Sequence, residues 1–414
     1  MKIELGYGRG SMPLDVPDKN LLKVLTPAGA PQGLRGEAEV KRALREPIGT
    51  GRLRDIVRPG EKIALVSSDI TRPMPTWKCM PALLEELRAA GVSMADVSLT
   101  FGLGSHRAQT DEEKRHLAGD EAWETITCRD SDPGDCVHFG TTSRGTDVDI
   151  DRVVARADRR ILLGNIEYHY FAGYSGGGKA LMPGVSTPAA IQQNHSFMVD
   201  PRSRTGRLEG NPVRADIEEA AAMVGADFIV NVVLDEHKEI VAAVAGDMTL
   251  AHRAGCSILD KMYSVPVPKR ADIVVTCQGG APKDVNLYQV QKAIDNAKHA
   301  VRDGGTVIVV GACTEGLGNG VFASWMEGEP SPAAVIERLR QGFRLGGHKA
   351  AAICQVMQRA RMVLVSEMAP ELVRSIFMEP AASAQEALDR ALELYGPDST
   401  VTVMPFGGST LPRA

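Results

Sequence analysis

A lysine closing a run of glycines, with a histidine on either side, is the stretch of this 414-residue chain best equipped for chemistry. The run is Gly173-Tyr174-Ser175-Gly176-Gly177-Gly178-Lys179, with His169 upstream and His195 downstream. Glycines hold no side chain between backbone and ligand, so their N–H groups can line a close-fitting anion or cofactor site. Gly173, Gly178 and Lys179 satisfy the phosphate-loop pattern G-x-x-x-x-G-K. Such a loop also needs Ser or Thr next, for magnesium, and a helix pointing at the phosphates. Here Ala180 follows, and Pro183-Gly184 come within one turn, where proline opposes a helix. The strand expected at 161–164 also ends well before the glycines. A phosphate- or nucleotide-dependent transferase built on this near-phosphate loop is therefore the alternative reading and not the leading one.

The elements that must carry these residues repeat as strand, loop, helix. Residues 62–67 are short and apolar and predict a buried strand, followed by a loop holding Asp69 and Arg72 and a helix over 76–90 ending at Gly91. Residues 96–101 predict a second strand, with His106 on its exit loop and a helix start at Thr110-Asp111-Glu112-Glu113. The strand at 161–164 is followed by His169. In open α/β sheets ligands collect where strands end, so Arg72, His106 and His169 stand at three candidate positions around one mouth. Thr187-Pro188 starts a helix that carries His195. Past Pro266-Val267-Pro268 the rhythm restarts. The expectation is an α/β protein of two α/β domains with the active site in the cleft between them. Its parts are an N-terminal domain over 1–265, a hinge region over 266–288, a C-terminal domain over 289–400 and a return segment over 401–414.

Composition narrows the functional classes. The formal net charge is -5, with 43% hydrophobic and 24% charged residues, which is ordinary for a globular protein. No basic block or aromatic-basic stripe suggests nucleic acid. No apolar run approaches a membrane span, and residues 1–6 lack a signal-peptide core. The seven cysteines form no C-x-x-C pair. These features predict a cytoplasmic protein with reduced thiols and no nucleic-acid or membrane partner.

Four motifs in order, Ser68-Asp69-Ile70-Thr71-Arg72-Pro73, Gly104-Ser105-His106-Arg107, the stretch Tyr168 to Lys179 with His195 beyond it, and Tyr288-Gln289-Val290-Gln291-Lys292, resemble the signature of the nickel-dependent lactate racemase family. The resemblance implies a racemase or epimerase inverting the Cα centre of a 2-hydroxy acid, by hydride abstraction and return. It implies a nickel-pincer nucleotide (pyridinium-3-thioamide-5-thiocarboxylate mononucleotide with Ni) joined covalently to Lys179, with cofactor-synthesis enzymes as maturation partners. His195 would be the protein's nickel ligand, since imidazole suits Ni(II) and the pincer leaves one planar position. His106 and His169 would alternate as general acid and base. Arg72 and Lys292 would bind the substrate carboxylate, with Gln289 beside it. Tyr288, Asp69, Ser175, Gly177 and Gly178 would contact the cofactor, Asp69 being also able to orient Arg72 or a histidine. His348 stands where lactate-selective members align a tryptophan, which implies a substrate larger or more polar than lactate. His116, His138, His237, His252 and His299 are read as structural.

Overall fold

The computed structural model describes residues 1–413 and divides into two compact units, 29–262 and 1–28 with 263–414. The first unit is built on a six-stranded sheet. Its strands run in the order Ile240–Gly246, Phe228–Leu234, Arg159–Asn165, Ile63–Ser68, Val97–Gly102 and Thr127–Asp130. All neighbours are parallel except the Ile240–Gly246 edge. The inner strands are apolar on both faces because helices cover both, so Ile63, Ala64, Leu65 and Val66 are all buried. Thr76–Ala89 is one covering helix, and Leu83, Leu84 and Leu87 face the core. The expected cap of the next helix, Asp111–Ala118, is present as a reciprocal Thr110–Glu113 capping box.

Arg159–Asn165, Ile63–Ser68 and Val97–Gly102 are adjacent and parallel, so the three loops of interest leave the same edge of the sheet. The expectation drawn from the strand–loop–helix rhythm is met here.

The second unit holds a wholly parallel sheet in the order Glu379–Ala381, Arg361–Val365, Val301–Val310, Ala271–Cys277, Val401–Met404 and Leu21–Val24. Its composition corrects the expected domain bounds. Residues 1–28 belong with the C-terminal half: Leu21–Val24 pairs with Val401–Met404, and Leu5 and Leu14 pack with Ile273, Ile308 and Val403. The segment 266–288 is not a free hinge, because it contains the central strand Ala271–Cys277. Nor do residues 401–414 cross to the other unit. Val401–Met404 lies inside this sheet, and Leu411–Arg413 pairs with Ser264–Pro266. The two units divide at 262/263.

Candidate active site

The loop after Ile63–Ser68 places Asp69 against His106. Asp69 Oδ2 lies 2.7 Å from His106 Nδ1, and Oδ1 accepts from the Thr71 hydroxyl at 2.7 Å. Burial works against ionisation of Asp69, but the bonds from His106 and Thr71 and the charge of Arg72 outweigh it and hold its carboxyl below the usual aspartate value. An ionised Asp69 makes His106 Nδ1 the donor, so the neutral ring turns the Nε2 lone pair outward. Asp69 is 1% exposed and fully engaged. This geometry lets it orient His106, the second of its expected roles. Gln109, which the sequence does not single out, fixes the pair. Its Oε1 accepts from Ile70 N at 2.8 Å while Asp130 holds its Nε2 and backbone N–H. Arg72 is exposed on the same loop.

His169 sits on a small hairpin in which Tyr168 faces Tyr174 and His169 faces Gly173. The unexpected centre of the site is Phe171, only 3% exposed. His169 meets its ring edge-on at a centroid distance of 4.4 Å, His195 at 4.9 Å, and Lys179 Nζ lies 6.0 Å from its centroid. His195 reaches it from helix Pro188–Ser196, capped by Thr187 as expected. His169 Nδ1 accepts from Ala172 N–H at 3.2 Å, which puts the proton of the neutral ring on Nε2. That long, neutral bond is worth about 1 kcal/mol, little enough to open during a proton transfer.

The glycines are demanded mostly by the protein behind them. A Cβ on Gly176 would come within 2.6 Å of Asn231 Oδ1, one on Gly178 within 2.8 Å of the Ala221 methyl, and one on Gly177 within 3.1 Å of the His252 ring. Gly173 and Gly176 also have φ near +80° (79° and 78°), the left-handed region that glycine tolerates. Gly177 N–H donates to Asn231 Oδ1 at 2.8 Å. The Ser175 hydroxyl donates to Asn165 O and accepts from Glu167 N. The Ser175 hydroxyl and the Gly177 N–H thus brace the loop. Buried Arg214 binds the carbonyls of Ala172, Tyr174 and Gly176, and His252 Nε2 meets Ser175 O at 2.8 Å. Lys179 lies in a short 3-10 turn, Gly177–Ala180, and the next helix begins only at Pro188. The phosphate-loop arrangement required by the transferase alternative is therefore missing.

Three histidines are kept neutral by their surroundings. Burial first, and then the charges of Lys179, Arg72, His195 and Arg214, push His169 well below the ordinary imidazole value. Burial does the same to His252, with Arg214 adding to it. His348 is pushed down to about 3 by burial and Lys349. An unfolded chain binds these protons near pH 6.5 and the folded chain does not, so acidification favours unfolding. The thermal midpoint of the apoprotein is expected to fall as pH drops from 6.5 towards 3. His348→Gln should flatten part of that slope in a calorimetric pH series.

Tyr288, Gln289, Lys292 and His348 lie in the other unit. Helix Leu287–Ala297 carries the first three, with Gln289 and Lys292 exposed. Lys349, unremarked in the sequence, sits 3.9 Å over the Tyr288 ring centroid and donates to Tyr288 O at 2.9 Å. His348 is buried, accepts from Gly346 N–H at 2.9 Å and lies 5.3 Å from Phe343.

Among the described residues no group of three or more His, Cys, Asp or Glu side chains is placed to hold a metal, and no helix is long and apolar enough to cross a membrane. The seven cysteines are free thiols.

Comparison with known proteins gives matches that span both units. Residues 7–206 match the family model described as the lactate racemase N-terminal domain, and residues 267–411 match the lactate racemase C-terminal domain. The chain is 34% identical to a lactate racemase of Thermoanaerobacterium thermosaccharolyticum over 423 residues, covering 99% of each chain. It is 33% identical to the lactate racemase of Lactiplantibacillus plantarum over 417 residues, covering 98% of each. The lactate racemase apoprotein structure from T. thermosaccharolyticum superposes with a TM-score of 0.90 over 100% of both chains at 33% identity. A Thermotoga maritima protein shares the fold, with a TM-score of 0.61 at 17% identity over 92% of this chain and 100% of that one.

Proposed function

The chain belongs to the lactate racemase family, and from that premise we propose that it inverts the Cα centre of a small 2-hydroxy acid using a nickel-pincer nucleotide carried on Lys179. The enzyme is an isomerase of the racemase class. The observation that carries the finer reading is the gathering of His169, His195 and Lys179 around Phe171, in the same unit as the His106–Asp69 pair.

The residues suit such a group. Lys179 has no hydrogen-bond or ion-pair partner among the described residues. Burial, with Arg214 and Arg72 adding to it, pushes its pKa well below that of ordinary lysine. An amine held towards its free base is a nucleophile ready to be acylated. His195 belongs to no group of three or more His, Cys, Asp or Glu side chains among the described residues, which fits a metal whose other donors come from a tethered molecule. When bound, the group supplies an acceptor and donor for the Cα hydrogen as hydride.

The protein's own part is proton transfer and orientation. His106, its Nδ1 proton committed to Asp69, takes the hydroxyl proton of one enantiomer at Nε2. His169 serves the other enantiomer once the bond from Ala172 has opened. Arg72 holds the carboxylate through its fork, and Lys292 and Gln289 are proposed to assist, so the planar 2-keto acid stays in place between the half-reactions. The reading includes a substrate larger or more polar than lactate, with His348 as the residue that selects it.

The experiment is racemisation by protein co-produced with the cofactor-synthesis enzymes. Pure L-lactate and a panel of sugar acids and hydroxy diacids would be followed by polarimetry. Loss of optical activity is expected, faster for a panel member than for lactate. A nickel-loaded protein that inverts none of them would contradict the proposal.

A further inference from the structure

We propose that Asp260 is a positioning residue for His169, acting through the phenols of Tyr168 and Tyr174. This rests on the reading of His169 as an acid/base group. Asp260 lies on helix Met248–Tyr263, 92 residues from Tyr168 and 86 from Tyr174. Its Oδ1 accepts from Tyr168 Oη at 2.7 Å and from Tyr174 Oη at 2.8 Å, and its Oδ2 lies 2.9 Å from Tyr174 Oη.

The two tyrosines are not a casual pair. They are directly opposed across the hairpin, and their rings are 5.5 Å apart. Side chains alternate along a strand, so Tyr168 and Tyr174 share one face and His169, paired with Gly173, points from the other. A two-residue ladder is too short to fix its own register, and a one-residue slip would turn His169 to the wrong side. One carboxylate accepting both phenols fixes that register from outside.

The helix gives the clamp a rigid base. Two turns before Asp260 it presents His252, which meets Ser175 O at 2.8 Å. His252 and Asp260 are eight residues apart, so they lie along one side of the helix. The helix therefore grips both the glycine loop and the hairpin, and so sets His169 relative to Lys179. Charge-assisted bonds from a carboxylate are the strong kind, and a displacement of about 1 Å at a catalytic group can cost about 100-fold in rate.

The test compares Asp260→Ala, Asp260→Asn and His169→Ala with the parent protein. Asparagine keeps an Oδ1 acceptor for both phenols and should restore what alanine loses. In the apoprotein, Asp260→Ala is expected to speed amide hydrogen exchange in a peptide spanning 167–175, while peptides from the core strand Ile63–Ser68 stay unchanged. In protein matured with the cofactor-synthesis enzymes and assayed on L-lactate, Asp260→Ala should lower kcat roughly 10- to 100-fold with KM within about twofold and nickel content unchanged. Unchanged exchange at 167–175, or faster exchange with kcat intact, would overturn the positioning role. A fully active His169→Ala would instead overturn the acid/base reading on which the inference rests.

Discussion

Lys179→Met is expected to leave a folded, soluble and inactive protein whose thermal midpoint equals or exceeds that of the unmodified parent. The two halves of this result have one cause. Burial and the neighbouring Arg214 and Arg72 hold the Lys179 pKa well below its ordinary value. Near neutral pH the unfolded chain carries a proton on this amine that the folded chain resists, so the residue opposes folding. That opposition fades as pH rises towards 10.5, where the unfolded lysine also becomes neutral. Methionine fills similar space without the charge, so any stability gain should be largest near pH 7 and vanish above pH 10.5. Activity follows the opposite course. Neither methionine nor arginine can carry an acyl or thioacyl attachment, and a cofactor that performs the difficult step cannot be replaced by side chains. The expected loss exceeds about 1000-fold for Lys179→Met and for Lys179→Arg alike. Calorimetry of the apoproteins and polarimetry of the matured proteins measure the two effects separately. A functional lysine that lowers stability is the usual trade between folding and catalysis.

His106→Ala should lower kcat by about 100- to 10,000-fold, the span expected for removing a general acid/base group. Asp69→Asn should lower it by about 10- to 100-fold, because the histidine survives but loses the partner that fixes its ring and its Nδ1 proton. The double variant should be little worse than His106→Ala, since on this reading Asp69 serves the reaction through His106, 2.7 Å away. Additive losses in that cycle would give Asp69 an independent role. Nickel content and Lys179 modification should be intact in all three variants.

The strand–loop–helix rhythm makes the positions of Arg72, His106 and His169 legible in the sequence. Short buried strands and capped helices announce themselves locally, and parallel neighbours bring their ends to one edge. The lysine proposed as the tether is legible by resemblance, as is the histidine proposed for nickel. What stays hidden is whatever depends on distant pairing. Arg214, Asn231, His252 and Asp260 hold the glycine loop or its hairpin from positions 38 to 92 residues further along the chain (Asn231 and Gly177 being 54 apart). Nothing local marks them. The glycines show the same limit. Their lack of side chains suggests room for a ligand, yet the space beside Gly176, Gly177 and Gly178 is filled by Asn231, His252 and Ala221. The first 28 residues mislead for a related reason. Leu21–Val24 finds its partner at Val401–Met404, at the far end of the chain. Phe171 was visible only as one aromatic among several, and its central place follows from the packing of three separate segments.

The central claim is a covalent group on Lys179 with nickel beside it. The most direct measurement is the mass of the Lys179 peptide from protein co-produced with the cofactor-synthesis enzymes, taken alongside a nickel determination on the same sample. A modified Lys179 with close to one nickel per chain is the predicted result, lost in Lys179→Arg. An unmodified lysine without nickel, from a host that matures a known lactate racemase in parallel, would contradict the account.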